Sequence, residues 1–223
     1  MKLPREQRLK ELGIAPAWRL RGRSAPATPA CADGADGADR RGRILQMDWT
    51  QLREAVANCT ACELYKTRTQ GVLGVGDPHA DWLIVGEAPG ADEDAQGEPF
   101  VGQAGRLLDA MLSAFGLTTD RVYLASALPR HLPGADWDAI ALSGFGAAVA
   151  RHVALVEPKR LMVFGQTVLP LLSHDPPHGP ADLREFNHEG GNVPMLACRS
   201  LAALLEQPRW KARVWQAWLE LTG

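Results

Sequence analysis

Residues 86–112 read GEAPGADEDAQGEPFVGQAGRLLDAML, and this stretch concentrates the residue types able to do chemistry. Gly86, Gly90, Gly97, Gly102 and Gly105, with Pro89 and Pro99, specify the path of a loop. Glycines at such a place let the backbone approach a ligand closely. Phe100 is an apolar plate inside that loop, suited to stacking on a flat ring. Glu87 follows a short apolar run, and a carboxylate there can orient a water or stabilise a cation. With Gly86, Ala88, Pro89 and Gly90, these residues outline a ligand loop. Elsewhere, Cys59 and Cys62 form a Cys-x-x-Cys pair, which suits a redox couple or half of a zinc site. The histidines at 174, 178 and 188 fall in a Pro/Gly-rich stretch and read as chance placement rather than a metal site.

These groups need elements to position them. WLIVG (82–86), VYLASAL (122–128), RLMVFG (160–165) and NVPMLA (192–197) read as short apolar strands. Between and around them lie helical patterns: TQLREAVANC (50–59), GRLLDAMLSAFG (105–116), residues 140–156, QTVLPLL (166–172) and PRWKARVWQAWLEL (208–221). In the second of these, Leu107, Leu108, Met111, Leu112 and Phe115 share one face and Gly116 stops the helix. The tryptophans at 210, 215 and 218 are expected to pack inward. Short apolar strands separated by helices imply an α/β fold with a parallel sheet covered on both faces. Ligand chemistry in such folds sits beyond the carboxyl ends of the strands.

Composition narrows the classes. The 223 residues are 46% hydrophobic and 22% charged, with a net charge of −2, which excludes a basic protein coating nucleic acid by charge alone. No apolar run is long enough to span a bilayer, and no membrane partner is expected. The N-terminus lacks a signal-peptide core, and four cysteines do not make a disulfide scaffold. A cytoplasmic location is therefore expected. Three zones follow along the chain. Residues 1–23 carry seven basic and two acidic side chains, with an apolar set at Leu9, Leu12, Ile14 and Trp18, and read as a partner-binding peptide. Residues 24–43, rich in Ala, Asp, Gly and Pro, read as a flexible linker. Residues 44–223 form the folded α/β domain.

The loop motif resembles the first motif of the iron–sulfur uracil-DNA glycosylases, GE-A/G-PG-x-x-ED-x-x-G-x-PFVG-x-AG. The resemblance extends over roughly residues 48–222. It implies a three-layer sandwich around a central four-stranded parallel sheet. It also implies a [4Fe–4S] cluster on four cysteines. Cys59 and Cys62 match the first pair, but Pro129, Arg130 and His131 stand where the third is expected, and Gly144 and Phe145 where the fourth is. The ligand set is incomplete, and no cofactor is expected. In that family the strand matching VYLASAL carries a base-contacting Asn, where this chain has Ser126. The second motif's His is Ser200, and its Pro is Leu201. Loss of a donor to a developing anion typically costs on the order of 10²–10³ in rate. These departures leave Glu87 as a vestigial catalytic group and Gly86, Ala88, Pro89, Gly90, Phe100, Ser126 and Ser200 as a pocket remnant.

A second resemblance lies at the ends. RLKELGIAPAWRLRGR and SLAALLEQPRWKARVWQAWLEL are similar to the opening and close of the psi subunit of bacterial DNA polymerase III holoenzyme. This resemblance implies a non-catalytic clamp-loader subunit. Its N-terminal peptide would dock on the tau/gamma collar through Leu9, Leu12, Ile14 and Trp18, its domain would bind the chi subunit, and it would meet DNA only indirectly. A divergent uracil-DNA glycosylase acting in base-excision repair is the alternative.

Overall fold

The computed structural model describes residues 36–58, 71–72, 74–128, 146–172, 179–188 and 190–223. Leu9, Leu12, Ile14, Trp18, Cys59 and Cys62 lie outside the described residues. Helices α1 (Asp36–Gln46) and α2 (Trp49–Ala57) come first. α1 begins inside the stretch read as linker. Strands β1 (Gly74–Gly76) and β2 (Trp82–Gly86) follow, then α3 (Ala91–Gln96), α4 (Gly102–Ala114) and β3 (Val122–Ser126). The remainder comprises α5 (Gly146–Val156), β4 (Arg160–Phe164), α6 (Leu169–Leu172), β5 (Ala181–His188), β6 (Gly191–Cys198), α7 (Leu201–Glu206) and α8 (Trp210–Thr222).

The sheet is six-stranded and mixed, in the order β1-β3-β2-β4-β6-β5. This corrects the expected four-stranded parallel sheet. β2 pairs in parallel with β3 and β4, and β4 with β6. β1 and β5 add antiparallel edges on β3 and β6. Both edges escaped the sequence for a physical reason. β1 is three residues, Gly-Val-Gly, and reads as a turn. β5, ADLREFNH, buries only Ala181 and Phe186 and so lacks the apolar run of an inner strand. His188 ends that strand rather than sitting in a loop.

Side chains alternate across the sheet. Leu83, Val85, Leu161, Val163, Met195 and Ala197 face one side, where Val149, Val153 and Val156 of α5 cover them. Trp82, Ile84, Met162, Phe164, Leu196 and Cys198 face the other, against α4, α7 and α8. α4 turns Leu108 and Leu112 fully inward, and Gly116 follows it at φ +74°, where a glycine is favoured. Trp215 departs from the inward expectation. It is 39% exposed and stacks on Phe115, at 5.5 Å between ring centroids, and on Trp218, at 5.6 Å.

A histidine is among the ionisable groups buried in the core. His152 of α5 is 3% exposed and packs against the rings of Trp49 and Tyr123, which also touch each other. Burial pushes its pKa down to about 4, from the usual 6.5. Because the unfolded chain takes up a proton first, stability falls as pH drops from about 6.5 toward 4. Urea unfolding at pH 7 and pH 5 should show His152 contributing a loss of about 2 kcal/mol. A His152→Leu variant should lose that component of the pH dependence.

Candidate functional site

The carboxyl ends of β2, β3, β4 and β6 lie along one edge of the sheet. Gly86 pairs with Ser126, and Phe164 with Cys198. Beyond β2 the chain turns through Glu87, Ala88, buried Pro89 and Gly90 into α3. The loop is closed by one side chain. The Glu93 carboxylate accepts from the Gly90 N–H and from the Phe100 N–H, each at 2.5 Å. Bonds of this charge-assisted kind are roughly twice as strong as neutral ones. They tie the two ends of the loop together.

Phe100 is held in an unusual conformation. Its φ is +59°, in the left-handed region that costs a side-chain-bearing residue of order 1–3 kcal/mol. Two glycines accommodate it. A Cβ at Gly86 would lie 2.8 Å from the tip of the Phe100 ring, and a Cβ at Gly105 would lie 1.8 Å from the Phe100 carbonyl oxygen. The ring meets Phe164 edge-on, with centroids 6.5 Å apart and an interplanar angle of 73°. Phe100 remains half-buried, so part of it stays accessible beside the strand ends.

Glu87 stands next to this plate. Its backbone carbonyl accepts from the Ala127 N–H at 3.1 Å, which anchors it to the end of β3. Its carboxylate accepts a hydrogen bond from the Thr167 hydroxyl at Oε1. Burial raises its pKa above the usual carboxylate value, and the bonds from Thr167 partly oppose this. Glu87, Gly86, Phe100 and Ser126 are thus assembled at adjoining strand ends. Ser126 is 8% exposed. Ser200 is employed differently. It caps α7, its Oγ accepting from the Ala203 N–H at 3.3 Å. Three contributors were not singled out from the sequence: Glu93, Gly165 and Thr167. Glu93 sits at the third position of a helix opened by Gly90, the spacing at which a carboxylate reaches back to the chain before it. Thr167 carries no comparable local signal, being 80 residues from its partner.

Cys198 is 1% exposed, packs among the core side chains between the sheet and α4, α7 and α8, and has its thiol pKa raised by burial. Among the described residues, no group of three or more His, Cys, Asp or Glu side chains is placed to hold a metal ion.

A family model described as the uracil DNA glycosylase superfamily matches residues 73–221. The chain belongs to that superfamily. Its relatives include type-4 uracil-DNA glycosylases from several organisms. That of Archaeoglobus fulgidus is 38% identical over 112 residues, 50% of this chain and 56% of the relative. The Pyrobaculum aerophilum protein is 42% identical over 87 residues, 39% of this chain and 44% of the relative. The Thermotoga maritima protein is 33% identical over 122 residues, 53% of this chain and 62% of the relative. The chain thus spans about half the length of these relatives.

These matches overturn the clamp-loader psi reading. The superfamily match runs to residue 221 and so takes in the Leu-rich segment and Trp-bearing helix on which that reading leaned. In the fold those residues are α7 and α8, whose Leu201, Leu204, Val214 and Ala217 cover the sheet. Their pattern is explained by packing.

The capping geometry makes a specific demand on residue 200. Ser200→Ala should lower stability by about 1 kcal/mol, and Ser200→Gly by only a few tenths. Urea midpoints of the two variants check this.

Proposed function

We propose that this protein is a divergent uracil-DNA glycosylase that recognises an extruded uracil and hydrolyses its N-glycosidic bond, as a step in base-excision repair. One observation carries the reading: a desolvated carboxylate, Glu87, stands one residue past the Gly86 backbone on which the Phe100 ring rests. A stacking plate resting on Gly86 and a carboxylate on the next residue, Glu87, suit hydrolysis at a flat leaving group. Membership of the superfamily and the type-4 relatives support the same reading.

The chemistry follows from the parts. The enzyme takes the target nucleotide out of the stack. Its base lies against Phe100, and the Ser126 hydroxyl offers one donor and one acceptor to the base edge. The Glu87 carboxylate orients a water and takes its proton as the water oxygen bonds to C1′. The C1′–N1 bond breaks and its electron pair leaves on uracil. Stabilising that anion is the weak point, because Ser200 is committed to capping α7. Iron–sulfur chemistry has no part in the scheme. With Cys198 sealed in the core, the sequence retains only Cys31, Cys59 and Cys62, short of the four thiolates of a [4Fe–4S] cluster.

Single-stranded and duplex oligonucleotides containing one uracil, treated with the protein and then alkali, test this. Slow strand cleavage at the uracil is expected, abolished in Glu87→Gln. The rate should fall as pH drops through the Glu87 pKa, which lies above the usual 4.5, because the ionised form is the active one. Combining Ser126→Asn with Ser200→His should raise the rate by roughly 10²–10³. Absence of cleavage by the parent protein at stoichiometric concentration overturns the reading.

A further inference from the structure

The turn after β4 is built around the Glu87 carboxylate. Gly165 sits at φ +115°, and a Cβ there would lie 2.0 Å from Glu87 Cγ and 2.3 Å from its Cδ. The Glu87 side chain therefore lies directly on the Gly165 backbone, and only glycine admits it. The turn is fixed on every side. The Gly165 N–H donates to the Cys198 carbonyl at 2.9 Å, and the Val168 N–H donates to the Gly165 carbonyl at 3.2 Å. The Gln166 amide donates to the Gly179 carbonyl at 2.6 Å. Val168 and Leu169 are buried at 0% and 1% exposure. Thr167 rides on this rigid turn, and its hydroxyl donates to Glu87 Oε1.

We propose that Thr167 is a positioning residue for Glu87: its hydroxyl holds Oε1 and keeps the carboxylate ionised. This deepens the glycosylase reading and rests on it for its catalytic meaning. A hydroxyl that donates to a carboxylate favours the charged form, against the cost of desolvating it. The forces on Glu87 divide in that way. Burial raises its pKa, and the Thr167 hydroxyl and backbone N–H lower it, with no neighbouring charge of the described residues among the causes. Both bonds that oppose burial therefore come from one residue on the neighbouring strand's turn, and its hydroxyl is the larger of the two. Valine has the same shape as threonine and no hydroxyl, while serine keeps the hydroxyl.

The test follows the Glu87 carboxyl carbon by ¹³C NMR across a pH titration of the full chain. The parent, Thr167→Val and Thr167→Ser proteins are compared, with circular dichroism confirming the fold. The midpoint should rise in Thr167→Val and stay near the parent in Thr167→Ser. If valine prevents folding, Thr167→Ala makes the same comparison. In the uracil-excision assay, Thr167→Val should lower kcat at pH 7 about tenfold, the scale of one hydrogen bond to a charged group, with KM unchanged. The acid limb of its pH profile should move upward with the carboxyl midpoint. A Glu87 midpoint identical in parent and valine proteins overturns the inference, as does a serine variant that behaves like valine. Failure of the parent to excise uracil instead defeats the glycosylase reading, while the NMR midpoints still decide whether Thr167 controls Glu87.

Discussion

The site depends on one carboxylate with two tethers. Glu93 accepts N–H bonds from Gly90 and from Phe100, so the start and end of the ligand loop are held by the same group. That closure helps to hold Phe100 at positive φ, together with the packing of its ring on Gly86 and Phe164. The strain is accepted because it lays the ring over Gly86 at the end of β2. The loop's glycines therefore have different duties. Gly86 makes room for the ring and Gly105 for the carbonyl behind it. The plate is preorganised before any ligand arrives, which is what lets binding act on orientation rather than on folding.

The parallel strands do the rest of the assembly. Four segments far apart in sequence reach one edge: Gly86, Ser126, Gly165 and Cys198. Each strand end then turns with a different side chain at its head. The arrangement follows the rule that open α/β sheets present their chemistry beyond the strands' carboxyl ends. Here it yields a carboxylate beside a ring, a hydroxyl at the next strand, and a glycine turn beneath the carboxylate. The residue at the fourth strand, Ser200, is diverted to helix capping. This capping role is one of the chain's departures from the motif it otherwise follows, beside Ser126 and Leu201.

Much of this was legible in the residues. The inner strands announce themselves because both faces are buried, giving runs such as Leu83-Ile84-Val85. The face of α4 follows from helical spacing, and Gly116 marks its end. The loop around Glu87 and Phe100 stands out through its glycines and prolines. Other features left no local trace. The edge strand β5 is mostly polar and alternates half-buried with exposed positions between Ala181 and Phe186, so it resembles a loop. The contact of Thr167 with Glu87 spans 80 positions, and no periodicity connects them. The psi resemblance failed for an instructive reason. Leucines of α7 and the apolar face of α8 repeat at helical spacing because they cover a sheet, and such spacing is shared by unrelated α/β proteins.

The account stands on the loop being a ready-made seat for uracil. Amide chemical shifts of the isotope-labelled full chain, recorded while free uracil is added, test this most directly. The account predicts saturable shifts at Gly86, Gly90, Phe100 and Ser126. It also predicts loss of the response in a Phe100→Ala protein that remains folded. Saturating uracil that leaves those four amides unmoved would contradict it.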